Sequence, residues 1–417
     1  MSSATADRDR TAPRALPVIG KLESPVTTYY LILGTMTTLV VFGLVMVFSA
    51  SSVTSLLGGD PSYSVFLRQL LFAVVGAVVA RFAARLTIRW WKRLAVPLLG
   101  GSVLLQLLVF TPLGYEVGGN RNWLDVGPIS VQPAELAKVA LVLVGAVIFA
   151  NKGRLVSRLG HAVVPYLLPI ASTVVVLVLL GKDLGTAMVM LLIVAAVLAV
   201  AGVPGRFFAG AGLFGAAVVA LLVVQSSNRM ARITNFLSVE CRSDPNGECG
   251  QSVHGLYALA DGGWWGVGLG ASKEKWAWLA EAHNDFIFAV IGEELGLPGT
   301  MVILFLFALL AWACYRLVVR TQDRFVRIAT AGILAWLLGQ AIINIGAVIG
   351  LFPVVGVPLP LVSAGGSSLV TTMLALGMLL SFARNEPGCR QLLDARPSRI
   401  RASLAILPSR SLLRRGR

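Results

Sequence analysis

Apolar residues run in blocks of about 20 along most of the chain, at about 28–50, 64–84, 94–112, 134–150, 162–181, 184–203, 206–226, 285–318, 326–352 and 366–383. A helix of that length spans the roughly 30 Å hydrocarbon layer of a bilayer. The pattern predicts an all-α polytopic membrane protein of about ten helices. Most connections are short, but two polar stretches, about 111–133 and 225–284, exceed ordinary connectors, and a third at 353–366 is dense in Pro and Gly. Long loops are usually functional or disordered, and Trp123, Trp264, Trp265, Trp276 and Trp278 argue here for order. The expected organisation is an N-terminal segment 1–27, a membrane domain 28–384 with a large loop at about 225–284 between helices 7 and 8, and a basic tail 385–417.

Composition removes the soluble alternatives. Of 417 residues, 56% are hydrophobic and only 13% charged, so there is too little charge to cover soluble domains. The net charge of +15 is informative by position. Most of the 35 Lys and Arg fall before Tyr29, in Arg81–Arg93, in Lys152–Arg158, at Arg206, in Arg316–Arg327 and from Arg384 onward. Positive charge marks the cytoplasmic side, so both termini are expected there and the long loops outside. The first 27 residues have no apolar core, so the first span rather than a cleaved signal peptide directs insertion. The Arg-rich tail lacks interleaved aromatics and suits membrane lipid, not nucleic acid.

Cys241 and Cys249 fall in the large outer loop, where a disulfide can form, whereas Cys314 and Cys389 lie toward the inner side. No His or further Cys completes a metal-ligand set around them.

Ionisable groups in or beside apolar helices are costly and therefore functional candidates. Arg121, Asn122 and Trp123 precede Glu135 and Lys138, which share a helix face as a self-neutralising pair or as part of a site. Asp183 begins a helix, as its cap or as a wall of an outer cavity. His283 and Asp285 stand where the long loop becomes a helix, with Glu293 and Glu294 further along it; one of those two is expected to bond neighbouring helices inside the bundle, as is Asn344. Gly365-Gly366-Ser367-Ser368 open the last helix, as an anion-binding turn or as an ordinary capped loop.

In series, the strings Trp123–Lys138 (WLDVGPISVQPAELAK), Asp183–Thr186 (DLGT), Glu281–Gly296 (EAHNDFIFAVIGEELG) and Pro358–Ser368 (PLPLVSAGGSS) resemble the SEDS family of peptidoglycan polymerases over about residues 28–384. The approach Lys275–Glu281 to His283 is most similar to the division-type FtsW branch, with the RodA-type elongation branch second. Two positions depart from the family pattern: Lys182 stands where many relatives carry Pro, and Asn122 where many carry Arg.

The resemblance implies polymerisation of lipid II on the outer face of a bacterial cytoplasmic membrane during septal wall synthesis. The implied partners are a class B penicillin-binding transpeptidase of the FtsI type and other divisome membrane proteins. Asp285 corresponds to the family's catalytic carboxylate, and a base is what a sugar hydroxyl needs as it attacks an anomeric carbon. An Asp at a helix start is also stabilised as the anion, which weakens it as a base and leaves a plain capping role open. Arg121, Lys138, Lys182, Arg229 and Arg232, or a divalent cation such as Mg or Mn, are the candidates to meet the leaving pyrophosphate. The competing functions are a lipid II flippase and a catalytically idle scaffold. No inverted repeat is evident for the first, and the intact Asp285 motif speaks against the second.

Overall fold

The structure, a computed structural model, describes residues 24, 26–127, 129–157, 160, 163–224, 230, 234, 238, 249–276, 278–279 and 281–395. Each of the ten apolar runs carries a helix. These are α1 Val26–Leu57, α2 Ser64–Ala83, α3 Ile88–Leu108, α4 Pro133–Lys152, α5 Val163–Leu180, α6 Leu184–Ala201 and α7 Gly205–Val224, then α9 Ile287–Arg320, α10 Arg324–Val348 and α11 Gly366–Arg384. Among the described residues, eight helices are long and apolar enough to cross a membrane. The long loop before α9 adds α8 Gly250–Gly262, and the chain after α11 adds α12 Cys389–Ala395.

The loop at 111–133, expected to be ordered and more than a connector, holds a small three-stranded antiparallel sheet, β1 Gly114–Val117, β2 Asn120–Val126 and β3 Ile129–Val131, in the order β1-β2-β3. Gly118 and Gly119 supply the two positive-φ residues of the tight β1–β2 turn.

α4 is the buried centre, packed on α3, α6 and α10, while α1 lies along α9 and α2 along α11. Its sequence explains its ends. Pro133 sits in the first turn where no N–H is needed, Glu135 stands near the positive end of the helix dipole, and Lys152 near the negative end. α6 is capped by Asp183, which accepts the Thr186 N–H, and ends on the left-handed Gly202.

α9 corrects one expectation. The apolar run from 285 reads as one helix, but the helix begins at Ile287 and breaks at Gly296, whose φ of 66° is open mainly to glycine. Pro298 then lies in the first turn of the resumed helix. The break leaves the carbonyls of Glu293 and Glu294 free to accept from the loop N–H groups of Val267 and Gly268 at 2.9 and 3.0 Å.

Candidate active site

Three polar clusters gather at the ends of α4, α6, α9 and α11. The first surrounds Asp183. One carboxylate oxygen takes the Thr186 N–H; the other accepts from Asn122 Nδ2 at 2.7 Å, Gln132 Nε2 at 2.9 Å and Thr186 Oγ1 at 2.8 Å. Asp183 is thus both cap and hub, and it is buried. Asn122 is thus one of its side-chain donors. Arg121 instead donates its guanidinium to the carbonyls of Val109 and Thr111, pinning the sheet to the end of α3. Trp123 is half-buried on β2 opposite Tyr115. The motif's Gly185 has its own reason: a Cβ there would meet Val357 and the Val355 carbonyl at 2.7 and 3.0 Å. Bare backbone lets α6 touch the 353–357 loop.

The second cluster lies inside the bundle. Glu135 and Lys138 form the ion pair that their spacing predicts, at 2.8 Å, with both side chains buried. Lys138 Nζ also donates to Gln340 Oε1 at 3.1 Å and lies 4.8 Å from the Trp336 ring centroid, while Thr371 donates to Glu135. Gln340 Nε2 donates onward to the Pro358 carbonyl at 2.8 Å.

The third cluster is the turn bearing His283 and Asp285. Ser363 Oγ donates to the Asn284 carbonyl at 2.7 Å and accepts the Leu359 N–H, and the Ala364 N–H reaches the His283 carbonyl at 2.9 Å. The motifs Glu281–Gly296 and Pro358–Ser368 are therefore one stitched unit, closed by Gln69 of α2, which bonds the Ser363 carbonyl and the Gly365 N–H. Because Gln69 occupies that N–H, Gly365 does not offer it to an anion. Ser367 accepts the Gln132 N–H and Ser368 donates to the Gly365 carbonyl, both at 3.3 Å, so both hydroxyls already have protein partners.

Asp285 is half-buried, one residue ahead of the N-cap Phe286, and lines a small cavity with Asn344, Gly356 and Val357. Asn344 Nδ2 bridges the carbonyls of Asp285 and Val357, both at 2.8 Å. A Cβ on Gly356, itself at φ 77°, would lie 3.6 Å from Asp285 Oδ2. The 353–357 loop thus has Asp285 against it at Gly356 and the Asp183-capped helix against it at Val355 and Val357. Burial pushes the His283 imidazole below its ordinary pKa, with the nearby Glu281 carboxylate opposing, and its Nδ1 has no hydrogen-bond partner among the described residues.

Glu293 and Glu294 lie away from this cavity. Glu294 bonds Ser49 of the neighbouring helix α1 at 2.6 Å and Lys275 of the long loop at 3.0 Å, with both ionic side chains buried. Glu293 takes Ser272 Oγ and the Lys273 N–H, so it holds the loop and not another helix. Cys249 is disulfide-bonded, and Cys314 and Cys389 are free and buried. Arg229, Arg232 and Cys241 lie outside the described residues. Among those residues, no three His, Cys, Asp or Glu side chains converge as a cation site.

Sequence reasoning missed Gln69, Lys275, Ser49 and Gly356 as parts of these clusters. Only Lys275, a cation beside a motif, carried a usable signal.

A model of the cell cycle protein family that groups FtsW, RodA and SpoVE matches residues 29–387. The chain is 38% identical over 367 residues to the "Probable peptidoglycan glycosyltransferase FtsW" of Mycobacterium tuberculosis, covering 88% of this chain and 70% of that one. It is 36% identical to the "Stage V sporulation protein E" of Bacillus subtilis, covering 83% and 94%. Its fold superposes with a TM-score of 0.69 and 30% identity on a chain from a peptidoglycan synthase complex described as coordinating polymerization and crosslinking, over 86% of this chain and 98% of that one. The rod-shape-determining protein RodA of Thermus thermophilus superposes with a TM-score of 0.64 and 30% identity, over 86% and 97%. Matched across nearly its whole membrane domain in both sequence and fold, the chain belongs to the FtsW, RodA and SpoVE family of cell cycle proteins.

Proposed function

We propose that this chain is a peptidoglycan glycosyltransferase that polymerises lipid II into glycan strands during septal wall synthesis. The observation that carries the reading is the carboxylate of Asp285, set beside a small cavity against Gly356 and held by its own backbone to Asn344. The names of the relatives in the division branch support the same activity.

In this reading the Asp285 carboxylate takes the proton from the acceptor sugar hydroxyl as that oxygen bonds to the donor's anomeric carbon. The pyrophosphate leaves on its isoprenoid carrier, which stays in the bilayer. Positioned base catalysis contributes about 10² to 10⁴ in rate. Lys138 brings positive charge beneath the site, restrained by Glu135, and the exposed Lys182 brings more at its mouth. The chain is a multi-pass membrane protein, placed in this reading with both termini cytoplasmic and the site outside, at the septum. It works there beside an FtsI-type class B penicillin-binding transpeptidase and other divisome membrane proteins.

The test uses purified protein and labelled lipid II in detergent micelles, with and without that transpeptidase. Long glycan strands support the polymerase. No strands in micelles, together with lipid II crossing the bilayer of reconstituted vesicles, would identify a transporter instead.

A further inference from the structure

Two contacts between α1 and α9 act as a ruler for the bilayer. At one end Arg316 Nε donates to Thr28 Oγ1 at 3.1 Å; at the other Ser49 Oγ donates to Glu294 at 2.6 Å. Between these marks neither helix carries a charged residue. At about 1.5 Å per residue, each helix covers roughly 32 Å between them, the thickness of a hydrocarbon layer. Glu294 and the adjacent break at Gly296 therefore mark the interface on the side of the long loop.

The tip of that loop is fixed at this level. The Leu297 N–H donates to the Gly263 carbonyl at 3.1 Å. Gly296 is pressed so closely on the loop that a Cβ would lie 2.7 Å from the Trp265 carbonyl carbon. On this tip Trp264 and Trp265 are 73% and 85% exposed to the surroundings of the protein, and Leu269 is 61% exposed. Further down α9, Met301 and Phe305 are exposed as well, within the uncharged window where hydrocarbon is the surrounding medium. Indole rings favour the boundary between the two media.

We propose that Trp264 and Trp265 seat the tip of the long loop in the lipid headgroup layer. The occupant of this apolar surface is lipid because the surface continues, without a charged residue, down the lipid-facing strip of α9. Anchoring the tip also fixes the height of the nearby turn that carries the carboxylate. Asp285, nine residues before Glu294, then stands at most about 17 Å outside the hydrocarbon, seven helical steps of about 1.5 Å and two non-helical ones of at most about 3.3 Å. That is the level of a headgroup sugar; this consequence rests on the function proposed above, whereas the anchoring does not.

The test is nitroxide labelling of Trp265→Cys, and separately of Leu269→Cys with both tryptophans retained, in the full chain reconstituted in vesicles of phosphatidylethanolamine and phosphatidylglycerol. Phe305→Cys and the well-exposed Lys273→Cys serve as hydrocarbon and aqueous references. Collision rates with oxygen and with a water-soluble nickel chelate report depth. The anchoring predicts, at both tip positions, several-fold lower chelate collision than at Lys273→Cys and lower oxygen collision than at Phe305→Cys. Chelate access equal to that at Lys273→Cys, or shielding that appears only when a partner protein is added, would overturn it. Neither readout depends on glycan synthesis.

Discussion

The side-chain amide of Asn344 donates to the backbone carbonyl of Asp285 at 2.8 Å, and the same nitrogen donates to the carbonyl of Val357. Because both partners are acceptors, the orientation of the amide is set. Asn344→Ala leaves these carbonyls without that donor, a cost of about 1–3 kcal/mol for each one buried. It also frees the turn that aims Asp285, and a shift of about 1 Å in such a group costs about 10²-fold in rate. The expected outcome is a large fall in kcat with KM for lipid II little changed. Asn344→Ala added to Asp285→Ala should lower the rate no further.

Glu135 and Lys138 are a buried pair, and breaking such a pair from one side costs about 3–5 kcal/mol. Lys138→Met is therefore expected to lower the thermal midpoint sharply. Glu135→Gln combined with Lys138→Met should recover most of that midpoint while leaving polymerisation low. Full recovery of both would show the pair to be purely structural.

Gly356 and Gly350 have nearly the same backbone, φ 77° and 75°, but different neighbours: the Asp285 carboxylate for one and Leu256 for the other. Alanine at either position carries a left-handed cost of about 1–2 kcal/mol. Comparable losses of stability are expected by thermal melting, with a loss of glycan synthesis per folded molecule at Gly356→Ala alone.

Distance along the chain decides which of these features are legible in the sequence. Apolar blocks of 20 residues have one home, so the spans were legible. The Glu135–Lys138 pair and the Asp183 cap were legible because helix geometry relates residues three apart. By contrast, Asn122 and Gln132 reach Asp183 across 61 and 51 residues, and Ser49 reaches Glu294 across 245. No local periodicity encodes such contacts. The break at Gly296 was hidden because the residues after it stay apolar and resume a helix through Pro298. The sheet at 114–131 was hidden because its strands are as short as 3 residues.

Burial lowers the pKa of His283, so the folded protein holds it neutral where the unfolded chain would begin to protonate it. Below the ordinary histidine value of about 6.5, the unfolded state binds more protons, and stability falls with falling pH. The thermal midpoint is expected to drop between pH 7 and pH 5, and His283→Gln should flatten that slope. An unchanged slope in the variant would remove His283 from the acid response; Glu386 and Glu274, whose carboxyls burial raises, contribute with the opposite sign, gaining stability as pH falls.

In the proposed function the Asp285 carboxylate is the base of a lipid II polymerase. The most direct measurement is strand synthesis by Asp285→Asn, which keeps the size and polarity of the side chain but removes its basicity. It is to be measured beside wild-type protein with labelled lipid II in detergent, after confirming an equal thermal midpoint and equal lipid II retention. The account predicts a rate at least about 10²-fold lower for the variant. Strands of wild-type length formed at the wild-type rate would contradict it.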